Sequence, residues 1–167
     1  MLTDSFMHEI GSPMAFGCGT IDQPGKIIAP AIHGRWRAGD VAFADADTWL
    51  FLGTNPMVSK LGGLPTVNPG WHLTRALKRG IKIIVIDPRQ TRSTWIADWH
   101  VQPRPGTDGA LALGMMKVIV DNDLHDLDFL KQHTRGWQEL IETKLPDYAL
   151  DRVAKITGLP AADIERL

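Results

Sequence analysis

Ile83-Ile84-Val85-Ile86 is a run of four β-branched residues, cut off at once by Asp87-Pro88. Branching at Cβ crowds a helix and suits a pleated strand. The run is therefore the clearest strand in the chain, and Asp-Pro is its stop. Thr48-Trp49-Leu50-Phe51-Leu52, ended by Gly53, reads as a second strand, short and buried, and Trp99 to Gln102 as a third. Between them lie helical patterns: Trp71 to Lys78, closed by Gly80, and a short helix over Thr94 to Ala97. Thr107 is placed to N-cap a long helix from Asp108 to about Val120, apolar almost all round and so expected to be buried. Strands alternating with helices predict parallel βαβ units.

The flanks read differently. The first twenty residues, rich in Gly, Ser and Pro, predict an irregular segment. Thr20 to Trp36 carries apolar residues at helical spacing, interrupted by Pro24 and Pro30. After Asp123 the pattern is helical to the end, over Asp128 to His133, Trp137 to Thr143, Leu150 to Ile156 and from Ala161 onward. The expected organisation is an irregular loop 1–20, an α/β core of about 21–123 and a helical extension 124–167.

Composition narrows the function. Eighteen Lys and Arg against 19 Asp and Glu leave no field to attract nucleic acid or an anionic membrane. One cysteine, Cys18, is too few for a disulfide or a multi-cysteine zinc or iron–sulfur site within these residues. The six histidines show no HxH or HExxH spacing. No apolar run approaches the roughly 18 residues of a membrane span, and the N-terminus lacks the basic and apolar regions of a leader. The chain as it stands is expected in the cytoplasm, with no membrane insertion and no nucleic-acid partner. An export signal upstream would make the parent protein periplasmic.

In parallel sheets ligands sit beyond the carboxyl ends of the strands. That rule selects three loops. Gly53-Thr54-Asn55-Pro56 offers close backbone approach and an amide. Asp87-Pro88-Arg89 offers a carboxylate suited to ribose hydroxyls and a guanidinium suited to phosphate or a base. Arg104-Pro105-Gly106-Thr107-Asp108 puts an acid at a helix N-terminus, where its charge is favoured and where it can accept from the N–H donors of guanine. Each has a plain structural reading too: a turn, a strand stop, a helix-capping acid. The dinucleotide fingerprint G-x-G-x-x-G and the Walker A loop are both absent.

The ordered set is more specific than any member. Phe51-Leu52-Gly53-Thr54-Asn55-Pro56, then Lys82 to Arg92 with Asp87-Pro88-Arg89-Gln90-Thr91, then Ala97-Asp98, then Arg104-Pro105-Gly106-Thr107-Asp108-Gly109-Ala110-Leu111 resemble the molybdopterin oxidoreductases of the dimethyl sulfoxide reductase family. Asp128-Phe129-Leu130, His133-Thr134, Gly136-Trp137 and Ile156-Thr157-Gly158-Leu159-Pro160 extend the resemblance, which runs from about Gly11 to Leu167. It implies an α/β, Rossmann-like parallel sheet with flanking helices and a helical C-terminal part. It implies a parent enzyme with two molybdopterin guanine dinucleotides around one molybdenum or tungsten, and an iron–sulfur cluster in an N-terminal part outside this chain. Gly53, Thr54 and Asn55 would lie near the phosphates and pterin. Asp87 would hold the guanosine ribose with Arg89 and Thr91 beside it, and Gly106, Thr107 and Asp108 would recognise the guanine.

Cys18 falls where members with a cysteine or selenocysteine metal ligand carry it, and a thiolate suits such a metal. The resemblance therefore implies Cys18 as metal ligand and catalytic residue, with Ser12 and Asp22 as lesser candidates and a small buried hydrophobe as the alternative. His33 is a minor candidate beside the cofactor, and His100 and His133 read as structural. Implied partners are the remaining domains of the parent, electron-transfer subunits and a small-molecule substrate. By itself the chain is expected to be inactive. Two rivals stand: a non-catalytic domain related to the large iron–sulfur subunit of respiratory complex I, and a free-standing guanine-nucleotide-binding module.

Overall fold

A computed structural model describes residues 2–14, 25–33, 45–59 and 67–167. They fall into two compact units, 1–38 and 39–167.

The first unit holds helices α1 (Leu2–Glu9) and α2 (Gly25–His33). The irregular segment expected over residues 1–20 is thus corrected at its start. Leu2–Glu9 is a helix, and the Gly- and Pro-containing stretch begins only after it. Gly11 and Ser12 close α1 by donating to the carbonyls of His8 at 3.0 Å and Met7 at 2.9 Å. α2 carries Pro30 inside it, so that proline does not break the helix over Gly25–His33; the rest of the pattern read over Thr20 to Trp36, Pro24 included, lies outside the described residues.

In the second unit, strands β1 (Thr48–Leu52), β2 (Lys82–Ile86) and β3 (Trp99–Val101) form a parallel sheet in the order β1-β2-β3. Parallel neighbours need a crossover of about a dozen residues. Between β1 and β2 the chain includes α3 (Pro56–Ser59) and α4 (Pro69–Lys78). Between β2 and β3 it makes only a 3-10 turn, Thr94–Ile96.

Successive strand residues face opposite sides of a sheet. Ile83 and Val85 of β2 join Phe51, Leu73 and Ala76 in one cluster, with α4 over that face. Ile86 joins Val101, Leu111, Val153, Leu159 and Ile164 in a second cluster on the other face. That second layer is α5 (Asp108–Asp121), α8 (Leu150–Thr157) and α9 (Ala161–Arg166). β2 is buried on both faces, and this is why its sequence is apolar without alternation.

β1 departs from expectation. Phe51 is buried, but Leu50 is 37% and Leu52 44% exposed. β1 lies at an end of the sheet order, and the described helices of the second layer cover β2 and β3 but not its outer face. α5 is also less enclosed than its composition predicts. Leu111, Gly114 and Val118 are buried, while Met116 and Ile119 are 44% and 40% exposed. The residues beyond 123 are mostly helical and belong to the same compact unit as the sheet. α6 (Leu127–His133) and α7 (Trp137–Glu139) lead through a π turn (Leu140–Lys144) and a 3-10 turn (Leu145–Tyr148) into α8 and α9, which pack on α5. The guanidinium of Arg166 lies 4.4 Å over the Trp99 ring and ties α9 to β3. Among the described residues no helix is long and apolar enough to cross a membrane.

Candidate functional site

All three strand-end loops leave the same edge of the parallel sheet, and hydrogen bonds join two of them. Gly53, at φ +55°, turns the chain after β1 and its N–H donates to the carbonyl of Ile86 at 2.9 Å. Two residues on, the Asn55 side chain is half-buried, and its Oδ1 accepts from the Ser93 hydroxyl at 2.8 Å. The loop after β1 is therefore bonded to the end of β2 and to the connection that follows it.

Asp87 is held by its backbone. Its N–H donates to the Val101 carbonyl at 3.1 Å, and its own carbonyl accepts from His100 Nε2 at 2.8 Å. Gln102 Nε2 donates to the Pro88 carbonyl at 3.2 Å. The carboxylate bends back so that Oδ1 accepts from Arg89 N–H at 2.8 Å, an Asx turn. Oδ2 has no partner among the described residues. Asp87 is half-buried and Arg89 exposed. His100 takes the structural role expected of it.

Thr91 is 6% exposed. Its backbone is satisfied locally: Thr91 N–H donates to Thr94 Oγ1 at 3.2 Å, and that hydroxyl donates to the Thr91 carbonyl at 2.8 Å. Its own hydroxyl is buried with no hydrogen-bond partner among the described residues. Such a group costs free energy unless something else completes it.

The third loop is positioned from behind. Arg104 N–H donates to the Thr157 carbonyl and Arg104 Nη1 to the Lys155 carbonyl, both at 2.8 Å, so the end of α8 sets where this loop starts. Gly106 turns it at φ +78°. Thr107 occupies the N-cap position of α5 as expected, but its hydroxyl donates to the Arg104 carbonyl at 2.6 Å and makes no side-chain cap. The loop's own turn has captured the hydroxyl. Asp108 is the first residue of α5 and is exposed, free to meet a ligand at the helix N-terminus.

The structure thus gathers Gly53, Asn55, Asp87 and Thr91, with Thr54 half-buried on the first loop and Gly106, Thr107 and Asp108 on the third. Cys18 and Asp22 lie outside the described residues. Ser12 Oγ accepts from Met14 N–H at 3.3 Å in the first unit. Ser93 belongs to none of the sequence motifs. Ser93 is fully buried, and its bond to Asn55 spans 38 positions, too far for any local pattern to show.

The family model for molybdopterin oxidoreductase matches residues 19–142. Among curated proteins, acetylene hydratase of Syntrophotalea acetylenica is 42% identical over 125 residues, 75% of this chain and 16% of that protein. The assimilatory nitrate reductase catalytic subunit of Bacillus subtilis is 38% identical over 102 residues, 61% of this chain and 14% of that protein. The dimethyl sulfoxide/trimethylamine N-oxide reductase of Rhodobacter capsulatus is 28% identical over 159 residues, 90% of this chain and 19% of that protein. Among solved structures, acetylene hydratase from Pelobacter acetylenicus superposes with a TM-score of 0.76 at 36% identity, covering 96% of this chain and 21% of that one. The chain therefore spans about a fifth or less of each of these relatives. With the parallel sheet and its tied strand-end loops, these matches establish that the chain belongs to the molybdopterin oxidoreductase family.

Proposed function

We propose that this chain is the part of a larger molybdenum or tungsten enzyme that holds one of two molybdopterin guanine dinucleotides. The observation that carries the reading is the loop after β2, where Asp87 leaves Oδ2 without a partner among the described residues and the Thr91 hydroxyl, buried, has none either. A sugar–phosphate ligand would supply hydroxyl donors for the Asp87 carboxylate. Arg89 is exposed beside them to pair with phosphate. Asp108, ionised and acceptor-only, fits the paired N–H donors of guanine, with Gly106 and Thr107 shaping its turn. Gly53, Thr54 and Asn55 face the phosphate and pterin side. The donor set fits the group.

When bound, the paired dinucleotides supply a metal at which two-electron redox or oxygen-atom transfer takes place; the protein orients the ligand and excludes water around it. Cys18 is proposed as the protein's thiolate ligand to that metal. An iron–sulfur cluster and electron-transfer subunits would belong to parts of the enzyme outside this chain. The substrate stays open because fold does not select it. One relative bears the name of a hydratase, and hydration adds water across a bond without net oxidation, so a non-redox reaction on the same framework is the second reading. The complex I-like and free-standing alternatives predict no metal and, for the latter, a simple guanine nucleotide in its place.

Metal analysis and extraction of bound pterin from the enzyme that carries this chain test the reading. Molybdenum or tungsten together with pterin and guanine is expected. Asp108→Asn, which turns donors toward the guanine amine, should weaken retention roughly 10- to 100-fold. Cys18→Ala should keep pterin and lose turnover. A wild-type enzyme with neither metal nor pterin sinks the reading, and full retention by Asp108→Asn sinks the guanine assignment.

A further inference from the structure

The Ser93–Asn55 bond joins two loops 38 positions apart, and the donor is fully buried. Pro56, directly after Asn55, is fully buried as well and starts α3, so the backbone on that side is also held. A side-chain amide has two unlike ends, an oxygen that accepts and an NH2 that donates. Here Oδ1 is taken by the Ser93 hydroxyl. Flipping the amide would deprive a buried hydroxyl proton of its acceptor, which is costly away from water. The bond therefore selects one of two nearly isosteric orientations, the one in which Nδ2 faces away from Ser93.

We propose that Ser93 is a positioning residue: its hydroxyl fixes the Asn55 amide so that the NH2 end is presented to an anionic, phosphate-bearing part of the bound dinucleotide. The inference rests on the cofactor reading above and adds to it a residue that would not touch the ligand. It assigns Asn55 the role of a donor, and it makes the loop after β1 dependent on the connection after β2.

The test is a double-mutant cycle in the enzyme that carries this chain, with dinucleotide retained per polypeptide as one readout and melting temperature as the other. Asn55→Ala and Ser93→Ala should each reduce retention about tenfold. If Ser93 acts through Asn55, Ser93→Ala should cause no further loss in the Asn55→Ala background. Asn55→Asp is the second probe. It preserves an acceptor for Ser93 and replaces the donor by an oxygen, so retention should fall while the melting temperature holds. Additive losses, unchanged retention in Ser93→Ala, or full retention in Asn55→Asp would overturn the inference while leaving the cofactor reading intact. If neither Asn55→Ala nor Asp108→Asn alters retention, the cofactor reading itself fails and takes the inference with it.

Discussion

Three aspartates show how position decides the use of one side chain. Asp87 and Asp108 stand at the carboxyl end of the sheet with oxygens to offer. Asp98 stands at the opposite end and is structural. Its Oδ2 accepts from Ile83 N–H at 2.8 Å, its own N–H donates to the Ile83 carbonyl at 2.8 Å, and Lys82 Nζ lies 3.2 Å from Oδ1. The β2–β3 pairing begins one residue later, at Ile84 and Trp99, so the Asp98 carboxylate extends the ladder backwards. The Ile83 N–H, then Lys82, hold its carboxyl below the ordinary value of 3.8. A lowered folded value stabilises the fold above the unfolded value and ceases to do so as pH falls through the folded one. Asp98→Asn should therefore lower the melting temperature at pH 7, and the gap from wild type should close as pH falls below the ordinary carboxyl value of 3.8 and on through the lowered folded one. Lys82 is exposed and salt screens its share. A gap that persists unchanged in acid would remove the carboxylate from the ladder. The sequence offered Asp98 only as one residue of a motif; its bond to a residue 15 positions earlier needed the sheet.

At the scale of elements, the contact that decides most is α5 against α8. A Cβ built on Gly114 would sit 2.9 Å from Val153 Cγ1, with Val153 fully buried. The helices are close because residue 114 has no side chain, and the Thr157 and Lys155 carbonyls of α8 accept the hydrogen bonds that hold Arg104. Helix packing thus reaches the third loop. Gly114→Ala would gain helix propensity of about 1 kcal/mol but overpack the crossing at a cost of about 1–3 kcal/mol. A net loss of stability is expected, together with weaker ligand retention at Asp108. Thermal unfolding of the variant checks this: an unchanged or raised melting temperature would show that Val153 yields freely. Of this arrangement, the span of α5 and the end of α8 before Gly158 were legible, because capping and punctuation are local. The closeness of the two helices was not, because it depends on which faces meet. The same holds for Trp137 to Thr143, read as one helix but built as a short α-helix running into a π turn.

For the whole molecule, the uncovered apolar surface matters most. Leu50 and Leu52 on β1 are exposed, as are Trp95 (77%), Leu124 (71%) and Phe129 (54%). A bulky charged ligand is retained when it is enclosed from several sides, and the relatives have four-fifths or more of their length beyond the matched part. The purified 167-residue chain is therefore expected to carry no stoichiometric molybdenum or tungsten, to show no benzyl-viologen-linked turnover, and to self-associate. Metal analysis, a viologen assay and light scattering check the three, and near one metal per chain would overturn the first. What the sequence determined by itself is the part governed by neighbours along the chain: the β-branched run of β2, the Gly and Pro stops, the N-terminus of α5 at Asp108, and hence a parallel sheet with three loops at its carboxyl edge. Tertiary structure alone decided that β1 leaves Leu50 and Leu52 partly exposed, that Thr91 is buried with a hydroxyl unmet among the described residues, and that Ser93 reaches Asn55. Those outcomes depend on which surfaces of distant segments come to rest together, and burial and hydrogen bonding between distant segments leave no period or spacing in the chain to be read.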